Sequence, residues 1–257
     1  MSVFIRQAEI MAIAKAEGRV LVDDLIARFN VTPQTLRKDL NDLCERALLT
    51  RIHGGAVYAT GSENLEYNQR RQIAASEKSA IGRATAELIP DGASLFINIG
   101  TTTEAVSEAL VRHKRLLIVT NNINVANRLR VHEQFEVLIA GGSVRPSDGG
   151  IVGGATVDFI GQFRADYAVI GTSAIGHDGA LLDFDLREVK VTQAIIANTK
   201  HVILVADQSK FERSAPVYIA SLNQVDTFVT DRCPDEAIRQ ICMEHNVRLV
   251  ETNLLHV

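Results

Sequence analysis

Beyond residue 76 the chain repeats one pattern: a short apolar run, a small polar turn, then a helix-like segment. The runs are SLFINIG before TTTEAVSEAL, RLLIVTNN before INVANRLR, EVLIAGG, DYAVIGTS, HVILVAD, DTFVTDR before CPDEAIRQICMEH, and a final VRLVE. Such alternation predicts an α/β domain with a mostly parallel sheet covered by helices on both faces. In that architecture the strand carboxyl ends share one edge. Gly100–Thr103, Asn121-Asn122, Gly141-Gly142, Gly171–Ser173 and Asp207–Lys210 are therefore expected along one crevice.

The first 58 residues follow different rules. Residues 4–17 read as a helix with Ile10, Ile13 and Ala14 on one stripe, closed by Gly18. Arg19-Val20-Leu21 is β-type, Val22–Phe29 a second helix, and Asn30-Val31 a tight turn. Thr32-Pro33 opens a third helix, because threonine caps free amides and proline at the first helical position gives up no hydrogen bond. Two stripes run down it: Leu36, Leu40 and Leu43 facing a core, and Gln34, Arg37, Lys38 and Asn41 facing out. Leu48–Tyr58 reads as two strands turning at Gly54-Gly55. The polar, aperiodic residues 59–75 read as a linker, which divides the chain into one domain over 1–58 and a second over 76–257.

Charge alone does not select a partner, since residues 1–58 carry a formal +1 within a chain of formal net charge −4. The positions of individual cations matter more. A major groove accepts one helix, and base edges are read by side chains that donate or accept in pairs, as Gln34, Arg37, Lys38 and Asn41 can. Thr32 and Thr35 are placed to donate to phosphate, and Arg51 and His53 on the hairpin to reach the neighbouring backbone. A solvated helix face has the same composition, so this stripe by itself leaves both readings open.

Gly100-Thr101-Thr102-Thr103, between a strand and a helix, is chemically suited to phosphate: glycine admits close approach, hydroxyls donate, and a helix N-terminus presents free amides. No Walker A or GxGxxG sequence occurs. Lys210 in ADQSKF and Arg145 in AGGSVRP read either as counter-charges or as solvated loop residues. Asp178, Asp183, Asp185 and Glu188 read either as acceptors for ligand hydroxyls or as a solvated loop and helix start. Cys44, Cys233 and Cys242 make no CxxC pair and read as reduced structural thiols, so no metal or cofactor is expected. The lack of an apolar span or signal-like start leads us to expect a cytoplasmic protein away from membranes.

Residues 6–58 resemble the DeoR-type winged helix-turn-helix, whose signature appears in VTPQTLRKDLNDL followed by RIHGGAV. Leu36-Arg37-Lys38 departs from the more usual Ile-Arg-Arg of that family; lysine keeps the charge but loses the bidentate fork. Residues 76–251 resemble the DeoR-family sensor domain, similar in fold to ribose-5-phosphate isomerase and glucosamine-6-phosphate deaminase. IPDGASLFINIGTTTEAV, IVTNNINVANRL, AGGSVRPSDGGIVGGATVDFI, LLDFDLREVKVTQAII and HVILVADQSKF carry that likeness.

The resemblance implies a repressor of double-stranded operator DNA, acting as a homodimer or homotetramer and released by a small phosphorylated effector such as glycerol 3-phosphate. It implies that Gly100, Thr101, Thr102, Thr103 and Lys210 hold phosphate, with Asn121, Gly141, Arg145, Asp183 and Asp185 around the polyol. Asn98 stands where related sequences and the fold's enzymes often place aspartate, and an amide cannot serve as general base. His177 is the sole histidine near the crevice loops, so a regulator is expected in preference to a sugar-phosphate isomerase or deaminase. A repressor answering to another sugar phosphate is the alternative.

Overall fold

The computed structural model describes all residues except 1–2, 18, 47, 53, 59–66 and 255–257. The chain divides into two compact units, Met1–Ile73 and Ala74–Val257. Gly18, expected to cap the first helix, and His53 lie outside the described residues.

The first unit runs α1 (Val3–Glu17), β1 (Arg19–Leu21), α2 (Val22–Phe29), α3 (Pro33–Glu45), β2 (Leu49–Ile52), β3 (Gly55–Tyr58) and α4 (Tyr67–Gln72). Ile10 and Ala14 of α1, Leu25 of α2 and Leu36, Leu40 and Leu43 of α3 are fully or almost fully buried together. The α2–α3 turn is made by Asn30 in the left-handed region, φ 49°, with its N–H on the Ile26 carbonyl. β3 pairs with β1 on one side and β2 on the other, both antiparallel. Gly55 has no room for a side chain, since a Cβ there would lie 2.1 Å from the Val20 carbonyl oxygen. A polar contact that apolar periodicity does not announce ties α1 to α3: Arg6, 5% exposed, binds the Asp39 carboxylate, 2% exposed.

The segment read as linker over 59–75 contains a helix, α4, instead of being irregular throughout. Its six residues, YNQRRQ, have no apolar stripe for a periodicity argument to find. The Arg71 guanidinium lies 5.8 Å from the Tyr67 ring centroid, one helical turn away.

The second unit continues with α5 (Ala75–Ala86), β4 (Ser94–Ile97), α6 (Thr101–Ala109), β5 (Leu117–Thr120), α7 (Ile123–Leu129), β6 (Glu136–Ile139), β7 (Ser143–Val144) and β8 (Ile151–Val152). Then come α8 (Gly154–Ile160), β9 (Ala165–Ile170), β10 (Ala174–Ile175), β11 (Ala180–Asp183), α9 (Leu186–Ala197) and β12 (Thr199–Val205). β13 (Val217–Ser221), β14 (Thr227–Thr230), α10 (Glu236–Glu244) and β15 (Arg248–Glu251) complete it. Seven strands form one sheet, ordered β15-β14-β12-β9-β4-β5-β6, with every neighbouring pair parallel. The expected α/β architecture is therefore present.

Successive strand residues point to opposite faces. Phe96, Ala168, Leu204 and Phe228 pack with α8, α9 and α10, while Leu95, Ile97, Val169, Ile203 and Val229 pack with α5, α6 and α7. Two smaller antiparallel sheets, β10-β11-β13 and β7-β8, flank this core. The stretch around Asp183, which the sequence leaves open as a solvated loop, is instead strand β11. Among the described residues no helix is long and apolar enough to cross a membrane.

Candidate functional site

α3 owes its orientation to its buried stripe and its start to its cap. The Thr32 hydroxyl accepts the Thr35 N–H at 3.3 Å, and the two threonine hydroxyls lie 2.9 Å apart. Gln34, Arg37, Lys38 and Asn41 are all exposed along one face of this helix. Two helices joined by the Asn30 turn, with the outer face of the second carrying paired donors and acceptors, have the shape and chemistry of a major-groove reader. The backbone of Arg51 lies on β2, one strand of the hairpin that accompanies them.

In the second unit the parallel register brings the ends of β4, β5, β6, β9 and β12 to one edge. The chain order of the sheet reverses between β4 and β9, and in open α/β sheets ligands settle outside the carboxyl ends at such a point. The loops there approach closely: a Cβ on Gly171 would lie 3.8 Å from the Ile99 carbonyl oxygen and 3.8 Å from Thr103 Cγ2. Gly100 (φ +149°) caps α6 in a conformation that disfavours other residues, and leads directly into Thr101.

The three threonines are not equivalent. The Thr103 hydroxyl is fully buried, and donates to the Asn98 and Gly100 carbonyls at 2.8 Å each, so it shapes the loop from within. Thr101 is half-buried and Thr102 buried in the first turn of α6. Asn98 is likewise structural: its amide donates to Thr192 Oγ1 at 2.7 Å and its carbonyl accepts the Ile99 N–H at 2.8 Å. Asn121 is fully buried; its Nδ2 donates to the Ile151 carbonyl at 3.1 Å, and its Oδ1 has no hydrogen-bond partner. A buried, unmatched acceptor at this edge has the chemistry to receive a ligand hydroxyl. Gly141 is exposed.

Arg145 and Asp185 meet in a network with Asp148 and Glu188 that spacing alone does not reveal, and the charge of Asp183 acts on Glu188 at its side. Arg145 binds Asp148 at 2.7 Å, Asp185 at 3.2 Å and Glu188 at 2.6 Å. Burial opposes its charge, yet the carboxylates outweigh burial and raise its pKa. Asp185, which caps α9 through the Arg187 N–H, is held at about 2, chiefly by the bond from the Arg187 side chain. Glu188 is pushed up to about 7 by burial and by the neighbouring Asp183 charge. Asp183 accepts from Ser173 Oγ at 3.2 Å and from the Phe184 N–H. Arg145 thus pins the β7–β8 hairpin to the start of α9.

Lys210 stands on the 3-10 turn after Asp207, and Asp207 is 1% exposed. Burial works against that carboxylate, but Lys210, Lys78 and the bonds from Ser209 outweigh it and hold its pKa below the usual range. Lys78 is not among the residues that the sequence pattern nominates for the site. The available signal was its place at i, i+3, i+7 with Ile81 and Thr85, a cation on the stripe that α5 buries. His177 is away from this chemistry: it is exposed and bonds Asp235, the cap of α10.

Comparison with known proteins agrees with both halves. The DeoR-like helix-turn-helix domain matches residues 6–61, and the DeoR C terminal sensor domain matches residues 73–232. The chain is similar to the glycerol-3-phosphate regulon repressor of Escherichia coli (strain K12), 47% identical over 95% of this chain and 97% of that protein. It is 46% identical to the protein of the same name in Haemophilus influenzae, over 97% of each chain. Among solved structures, ribose 5 phosphate isomerase A from Neisseria gonorrhoeae aligns over 52% of each chain with 14% identity and a TM-score of 0.39.

Proposed function

The chain belongs to the DeoR family of transcriptional repressors, and on that premise we propose that it represses glycerol 3-phosphate metabolism and leaves its operator when glycerol 3-phosphate fills the crevice. The observation that carries this reading is the end-to-end likeness to the Escherichia coli glycerol-3-phosphate regulon repressor, which spans both units. In this reading Gln34, Arg37, Lys38 and Asn41 read base edges, while Thr32, Thr35, Arg51 and His53 touch the backbone. Gly100, Thr101, Thr102 and Lys210 hold the phosphate, and Thr103 fixes the loop. Asn121 and Asp183 receive polyol hydroxyls near Gly141. Arg145 and Asp185 act as a latch beside the ligand. The chain works as a homodimer or homotetramer on paired half-sites. The amide of Asn98 offers no base where the enzymes of the resembling fold often place aspartate, which favours a regulator over an enzyme acting on the effector.

A DNA fragment selected by the full-length protein from a randomised pool supplies the assay. Fluorescence anisotropy then follows release as glycerol 3-phosphate, ribose 5-phosphate, deoxyribose 5-phosphate or a ketose phosphate is added. Release by glycerol 3-phosphate alone is the expected result. Release by a different member of the panel would transfer the effector assignment to that compound.

A further inference from the structure

Lys78 is outside the residues assigned to the effector, yet the packing of α5 carries it to Asp207 at the carboxyl edge of the sheet. A Cβ on Gly82 would lie 2.5 Å from the Ala105 carbonyl oxygen, so α5 and α6 touch at that level. One turn later the Ala86 carbonyl meets the His113 ring, just beyond α6, at 3.1 Å. The two helices therefore run parallel, and one turn before Gly82 and Ala105 stand Lys78 and Thr101. By that register Lys78 is level with the first residue of α6, within the phosphate loop. Lys78 Nζ also lies 3.9 Å from Asp207 Oδ2, with the two residues 4% and 1% exposed.

That distance is an ion pair without a hydrogen bond, and Asp207 Oδ2 has no hydrogen-bond partner. Two lysines, Lys78 and Lys210, thus act on one buried carboxylate at the carboxyl edge of β12. Asp231, buried nearby with its Oδ1 on the Gln208 N–H, has its pKa raised chiefly by that burial. A phosphate at the α6 N-terminus would meet cations arriving from two elements.

Lys78 also lies four residues from the boundary between the units. Its N–H bonds the Ala74 carbonyl at 2.9 Å, and Ala74 starts α5 in the left-handed region, φ 50°, with no side-chain cap. A non-glycine residue held there is strained, and a helix start more often has an extended cap residue.

We propose that Lys78 is a second phosphate-binding cation of the effector crevice and that, through the strained Ala74 joint, its engagement carries effector occupancy along the chain towards the DNA-reading unit. The proposal rests on the reading of the crevice as an effector site. An incoming dianion draws Lys78 from Asp207, the first turn of α5 follows, and Ala74 absorbs the change in backbone angle.

The test compares full-length wild type with Lys78→Met, with Lys78→Met combined with Asp207→Asn so that no buried charge is left unpaired, and with Ala74→Gly. Calorimetry gives the affinity for glycerol 3-phosphate, and anisotropy on the selected DNA fragment gives release. Both Lys78 variants should bind DNA as wild type does and lose about tenfold or more in effector affinity. Ala74→Gly should keep the affinity of the free protein, while the factor by which saturating effector weakens DNA binding falls about threefold or more. A responsive wild type matched by both Lys78 variants would overturn the proposal, as would an unchanged factor in Ala74→Gly. If glycerol 3-phosphate has no effect but inorganic phosphate raises the unfolding temperature in a Lys78-dependent way, the effector assignment falls and Lys78 stands.

Discussion

At the scale of single residues, the acid cluster around Arg145 has the most definite consequence. Glu188, with its side chain 12% exposed and Asp183 nearby, is pushed up to about 7 from 4.5 by burial first and like charge second. Below pH 4.5 both folded and unfolded chains hold the proton. Between there and about 7 the folded chain keeps a proton that the unfolded chain has lost, so this group's contribution to stability is lost as pH rises through that window. Urea unfolding at pH 5 and pH 8 should show wild type losing on the order of 1–3 kcal/mol more than Glu188→Gln over that interval. Equal losses would remove Glu188 as the titrating group.

At the scale of elements, α3 sets two kinds of energy on one helix, and substitutions on its two stripes should separate them. Leu40 is fully buried, so Leu40→Ala should cost about 2–5 kcal/mol of stability in denaturant unfolding. Arg37 is exposed, so Arg37→Ala should leave stability within about 0.5 kcal/mol and cost about 1–3 kcal/mol of operator affinity. Intact affinity in Arg37→Ala would sink the recognition-helix assignment. Both stripes were legible in the sequence because helical periodicity sorts residues by face. The parallel strands were legible because their apolar runs are separated by turns and helical segments. Two-residue strands such as β7, β8 and β10 have no period to read, and α4 has no apolar stripe. The strand-end loops of the crevice were legible from fold logic. The Arg145 network was not, because Arg145 and Asp185 are 40 residues apart and nothing local joins them. Lys78 shows in the sequence only as a cation on the stripe of Ile81 and Thr85; its approach to Asp207, distant along the chain, has no local signal.

At the scale of the whole molecule, a formal net charge of −4 coexists with a face built for a polyanion, because affinity for DNA depends on where cations stand. In the proposed reading ligand and DNA bind separate units of one chain, so each must alter the other's affinity by the same factor if one controls the other. That reciprocity is the central claim in measurable form. Calorimetric titration of glycerol 3-phosphate into the full-length protein, once free and once saturated with its selected DNA fragment, tests it directly. The account predicts weaker effector binding to the DNA-bound form, by the same factor by which the effector weakens DNA binding. Equal affinity in the two states would contradict it.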